Sequence, residues 1–192
     1  MVTTSYLDIP QLLLSDAADV VGMEFNTLRS WIQRGAVYLS KFDQKPKSKG
    51  GRTIITLRSM YCYAIMNELV KFGFSPDKAG IVATEAVRYT LFVSVAHNPE
   101  DLVDLEPGQL FPEGKTFLVT FGHETFQDPE EGVVNSAAVN LVNVRTGDQY
   151  AQLFEGSETF SSKSTRLIIN LNILYNRVNE RLADLRSNRR GS

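Results

Sequence analysis

The sequence is poor in the residues that usually announce chemistry: one cysteine, two histidines and one tryptophan in 192 residues. A single thiol excludes an intramolecular disulfide and leaves a multi-thiolate metal site without ligands in one chain. Cys62 sits mid-helix between Tyr61 and Tyr63 and reads as a small buried thiol. His97 and His123 lie far apart, and Gly122-His123-Glu124 lacks the spacing of a zinc motif, so both are expected as polar surface residues. The acids Asp128, Glu130 and Glu131 could hold a divalent cation but read better as a solvated loop. No G-x-x-x-x-G-K-[ST] or G-x-S-x-G run occurs, so nucleotide hydrolysis and serine-elbow hydrolysis lack support. The expectation is a non-enzyme with no catalytic residue, metal or cofactor. No apolar run approaches the ~20 residues of a membrane span. The N-terminus has no basic start followed by an apolar run and a cleavage site. These absences point to a cytoplasmic protein with no membrane partner.

What is present is a core and a segregated charge. Hydrophobic residues make up 43% of the chain, enough for real burial. The net charge of −2 conceals three blocks. Residues 26–58 hold Arg29, Arg34, Lys41, Lys45, Lys47, Lys49, Arg52 and Arg58 against Asp43 alone. Residues 97–160 are strongly acidic, with only Lys115 and Arg145 opposing, and residues 161–192 are basic again. A basic block on elements that could face a duplex is an electrostatic footprint for nucleic acid; the plainer reading is a set of solvated faces.

The basic block falls on a recognisable order of elements. Ser15 could cap a short helix, Asp16 to Val21, ended by Gly22. Asn26 could cap a second helix to about Arg34, stopped by Gly35. Leu28, Trp31 and Ile32 form its apolar stripe, leaving Asn26, Thr27, Arg29, Ser30, Gln33 and Arg34 to other faces. Residues 38–42 and 53–57 read as two wing strands around a basic loop whose Gly50 and Gly51 allow the positive φ of a hairpin tip. Lys45, Lys47, Lys49 and Arg52 on that loop are candidate phosphate contacts. Thr56 could cap a helix to about Phe72. Gly73 ends it, and Ser75-Pro76 opens another to about Tyr89. This is a winged helix-turn-helix, and double-stranded DNA is its first candidate partner.

The segment 12–82 resembles the DNA-binding domain of the MerR family of transcriptional regulators. Thr27-Leu28-Arg29 with Trp31 and Gly35, then Gly51-Arg52 with Ile55-Thr56, then Gly73-Phe74-Ser75 fall in frame with three family signatures. Trp31 stands where Tyr is usual, Ser30 where an aromatic is, and the wing lacks a second Arg. The resemblance implies that Arg29 contacts a phosphate or a base edge, that Arg52 contacts phosphate, and that the protein is a dimer joined by a helix near the C-terminus.

Residues 98–116 read as an irregular connection, perhaps with a short helix at 100–104, and divide the chain into domains 1–96 and 97–192. Strands are expected at 116–121 and 133–144. The turn Arg145-Thr146-Gly147-Asp148 would pair the latter with 149–154 as a hairpin. Phe111, Phe117, Phe121, Phe126, Phe154 and Phe160 could line a pocket or form a small core. A last amphipathic helix, 164–187, carries Ile168, Leu171, Tyr175, Val178, Leu182 and Leu185 at spacings of 3 and 4. That seam could pair two chains or pack on the sheet of its own. The fold class expected is α+β: a winged helix-turn-helix, then a small α+β domain that dimerises and could take a protein or small-molecule effector. The leading function is a dimeric, sequence-specific regulator of transcription. The alternatives are a phage-like or architectural DNA-assembly protein of the excisionase or packaging type, and a winged helix that contacts only proteins.

Overall fold

Pro10–Leu13 forms a strand, β1, that leads without a loop into helix α1, Leu14–Val21. The computed structural model describes residues 6–37, 39–46, 48, 51–97, 114–128, 132–147, 150, 153 and 166–190. The direct strand-to-helix passage explains why α1 has no side-chain cap. Leu14 N–H is already satisfied by the Thr53 carbonyl at 3.1 Å, so Ser15 lies exposed inside the first turn instead of capping it. Gly22, at φ 71°, closes α1 in the left-handed region. Helix α2 runs Phe25–Gln33.

The expected first wing strand at 38–42 is not a strand at its described positions. Residues 39–40 are irregular and 41–43 bend, and Gln44 makes a single bridge to Ile54. The second expected strand is β2, Ile54–Thr56, and its antiparallel partner is β1, with Leu12 opposite Ile55. The basic loop between Gln44 and Ile54 thus hangs from a sheet made with the N-terminal strand. Thr56 caps helix α3, Leu57–Lys71, by accepting from Ser59 N–H at 3.2 Å. Gly73, at φ 92°, ends that turn, and Pro76 opens helix α4, Pro76–His97, longer than the sequence indicated. Gly80 has no room for a side chain: a Cβ there would meet the Ala36 carbonyl oxygen at 2.2 Å.

One compact unit comprises 1–80 and 175–192; the other comprises 81–174. The first is built on α3, whose Met60, Tyr63, Ala64, Ile65, Met66 and Leu69 are buried, together with Ala17 and Val20 of α1 and Leu28 and Trp31 of α2. Its last element is the C-terminal helix α5, Leu171–Arg190, from Tyr175 onward. Tyr175, Val178 and Leu182 of α5 are buried. The Tyr175 ring meets Tyr61 at 4.6 Å between centroids, tilted 58°, and the Tyr61 hydroxyl donates to Asn179 Oδ1.

The second unit contains a three-stranded antiparallel sheet in the order β4-β3-β5. Strand β3 spans Lys115–Asp128, β4 Gly132–Val144 and β5 Leu167–Asn170. Phe117, Val119, Val144 and Leu153 form a buried cluster, with Val142 and Ile168 packed against it. Two expectations are corrected here. Strand β4 pairs with β3, and Tyr150 and Leu153 lie in helical turns, so the expected 144/149 hairpin is replaced by a β3–β4 hairpin. Residues 167–170, expected as helix, form β5, because Leu167-Ile168-Ile169 completes the ladder opposite Thr120, Val119 and Leu118. Asn170 then caps α5, its Oδ1 accepting from Ile173 N–H at 3.1 Å. The short helix expected at 100–104 lies outside the described residues. So do Phe111, Phe154 and Phe160; Phe121 and Phe126 lie on β3, and Phe117 is a core residue.

Candidate nucleic-acid interface

Two helices joined by three residues, Gly22 to Glu24, present α2 with one face buried and the other open. Leu28 is fully buried and Trp31 nearly so, as the apolar stripe requires. Asn26, Arg29, Gln33 and Arg34 are exposed, and Thr27 and Ser30 half-exposed. Arg34 Nε reaches back to the Ser30 carbonyl at 3.4 Å. The polar positions singled out from sequence therefore share the accessible side of one short helix, as a 3.6-residue period requires.

The cap of α2 is Glu24, not Asn26. Its carboxylate accepts from Thr27 N–H at 2.6 Å. Hydrogen bonds from the Asn26 and Thr27 backbone hold the Glu24 carboxyl below the usual range, so it is ionised at neutral pH. This acid lies at the helix terminus whose dipole would otherwise attract a phosphate. Phe25 beside it is partly exposed. Sequence reasoning missed Glu24 because Asn is the commoner cap, and the backbone N–H that Glu24 accepts from leaves no mark in the sequence.

The base of the loop expected as a wing is anchored by Asp43, the one acid in the basic block. Asp43 is buried, and its carboxylate accepts from Ser40 N–H at 2.8 Å, Thr56 N–H at 2.8 Å and the Ser59 hydroxyl at 2.7 Å. The Gln44–Ile54 bridge, with bonds of 2.8 and 3.0 Å, closes the loop base beside it. Lys45 and Arg52 are exposed on this loop, and Lys41 Nζ stands 4.9 Å from the Phe42 ring centroid. Gly51 serves by close approach, not by positive φ: a Cβ would meet Pro46 Cβ at 2.9 Å. Lys47, Lys49 and Gly50 lie outside the described residues.

Helix α5 consumes most of the seam expected for dimerisation. Tyr175, Val178 and Leu182 are buried in the first unit, and Leu185 is half-buried. Leu171 is buried in the second unit and Ile168 belongs to β5. The basic side chains Arg177, Arg181 and Arg186 of α5 stay exposed but find partners within the same unit. Arg177 pairs with Glu68, Arg181 Nη1 donates to the Val20 carbonyl at 3.4 Å, and Arg186 donates to Gln11 Oε1 at 2.7 Å. Arg181 also lies over the α1–α2 turn, where a Cβ on Gly22 would meet its Nη1 at 2.5 Å. Burial raises the Glu68 carboxyl pKa, but hydrogen bonds from Lys71 and Arg177 outweigh it and leave the group lowered.

Among the described residues, no three His, Cys, Asp or Glu side chains gather to hold a metal, and no helix is long and apolar enough to cross a membrane. No protein-family model and no curated protein matches the chain.

Proposed function

We propose that the chain is a sequence-specific double-stranded DNA-binding protein acting as a dimeric regulator of transcription, with a MerR-like winged helix-turn-helix as its reading head. The observation that carries this is α2: a short helix after a three-residue turn, apolar face buried, with Asn26, Arg29, Gln33 and Arg34 on open positions. In this reading α2 enters a major groove and its amide and guanidinium groups meet base edges. Lys45, Lys47, Lys49 and Arg52 neutralise neighbouring phosphates from the wing. Selection from a randomised duplex library at near-physiological salt tests it. Two related half-sites at fixed spacing are expected. Binding without an enriched motif would instead support a DNA-assembly role.

One observation favours a second reading, in which the winged helix contacts a protein. The ionised Glu24 and the exposed Phe25 stand together at the α2 N-terminus. A carboxylate repels phosphate, and an exposed ring suits a protein surface. The variant Glu24→Gln keeps a capping oxygen and removes the charge. On the DNA reading it tightens duplex binding several-fold. Unchanged affinity would show that no phosphate approaches this helix end.

A further inference from the structure

Among the described strands, β4 lies at the edge of its sheet. It pairs with β3 along its length from Gly132 to Val144, and the sheet order puts it on the outside. Among the described residues nothing pairs with its other edge over 133–141. Proteins guard such edges with short length, charge, proline or a bulge. Strand β4 has 13 residues, and no Asp, Glu, Lys, Arg or Pro lies within it. The bulge in the ladder, between Thr120 and Gly122, belongs to β3. The opposite edge of the sheet is guarded by other means: β5 is only 4 residues long, and beyond it β3 continues with His123, Glu124 and Asp128 in its sequence.

We propose that residues 133–141 of β4 pair antiparallel with the same segment of a second copy of this chain, joining two three-stranded sheets into one. Length, charge and closure select this occupant. Among the described strands only β3 and β4 are long enough to cover the edge, and β3 already gives one side to β4 along its length. Adding β5 of another copy would cover four residues and leave a free edge at each end, an open chain of molecules. Pairing β4 with itself about a two-fold axis closes the assembly. No register of an uncharged strand against itself opposes like charges. Nine paired residues extend the shared ladder over ~30 Å. The inference rests on the reading of a dimeric regulator for its purpose, and it supplies the two-fold partner surface that the buried stripe of α5 does not.

Sedimentation equilibrium of the full chain tests it. Wild type is expected at twice 21.5 kDa. Ala137→Lys with Asn140→Lys places charges across the two-fold and is expected to weaken self-association at least 100-fold with the far-ultraviolet spectrum unchanged. A scan of single cysteines from Val134 to Asn140, in a Cys62→Ser background, covers the case in which the lysine variant misfolds. Directly opposed residues in an antiparallel pair stand ~4.5–5.5 Å apart at Cα, within disulfide range. Oxidation should therefore cross-link two chains with a sharp maximum at the axis. A monomeric wild type, a folded lysine variant that remains a dimer, or a flat cross-linking profile would overturn the proposal. A dimer that ignores duplex DNA overturns the regulator reading and leaves the strand pairing standing; a monomer that binds a specific duplex overturns the pairing and leaves sequence-specific DNA binding standing.

Discussion

Arg189 Nη2 donates a 2.6 Å hydrogen bond to Asp16 Oδ1, joining the last turns of α5 to the first turn of α1 across 173 residues of sequence. Asp16 is buried, and its second oxygen has no partner among the described residues. Removing the guanidinium leaves a buried carboxylate short of a donor. Arg189→Ala is expected to cost about 1–2 kcal/mol, the low side of the range for such a loss because Arg189 itself is more than half open to water. Urea unfolding reads this directly, and an unchanged midpoint would show that the end of α5 is not docked in solution.

Asp43 should matter to stability more than any lysine around it. Asp43→Ala strands two backbone N–H groups and the Ser59 hydroxyl, and a loss of about 3 kcal/mol is expected. Amide exchange at Ser40 and Thr56 should speed up in the variant more than at Leu69. Uniform acceleration would mean that the wing base has no local anchor.

The alkaline limb of stability should be governed by tyrosine. Burial raises the Tyr175 pKa above its ordinary value, assisted by Cys62 and Tyr61; burial, then Asp43 and Cys62, raise Tyr63. The folded state therefore holds these protons when the unfolded state releases them. Their contribution is complete below about pH 10 and is lost as pH rises from there toward the folded values. Tyrosinate absorbance should show these two groups titrating only as the chain unfolds. Tyr175→Phe should move the alkaline transition upward. A smooth titration of all seven tyrosines in the folded protein would contradict the packing of Tyr175 and Tyr63.

Salt dependence isolates the wing. If Lys45, Lys47, Lys49 and Arg52 each neutralise a phosphate, replacing all four by Ala should reduce the slope of log K against log salt by ~4. Arg29→Ala should weaken specific binding, and discrimination should relax by ~1–3 kcal/mol if Arg29 reads a base. An unchanged slope removes the wing from the interface.

Local signals were legible in the sequence and distant ones were not. Thr56 and Gly73 mark the bounds of α3, and Ser75-Pro76 the start of α4, because caps act within one turn; the end of α4, with no such signal at Tyr89, lies eight residues further on at His97. The open and buried faces of α2 follow from its period, so Arg29, Gln33 and Arg34 were placed on the accessible side. Strand β1 was missed because Pro10–Leu13 is four residues long and its partner lies more than forty residues on. Residues 167–170 were misread because Leu167, Ile168 and Ile169 fit a helical stripe as well as a strand, and only β3 decides between them. Helix α5 carried a visible apolar seam, but a seam names no partner, and Tyr61, Glu68 and Gln11 lie over a hundred residues away.

Because α5 packs in the unit that contains α2, that unit can be completed only after residues 81–174 have been synthesised. The ribosome must release residues 81–174 before Tyr175 can reach Tyr61, so the intervening unit has its own strands available for pairing while α1 and α3 still expose the face that α5 will cover. Contacts of such sequence separation are slow to form because a long loop must close first. A nascent chain halted before residue 171 would therefore carry every residue of the candidate interface and still lack the helix that braces it.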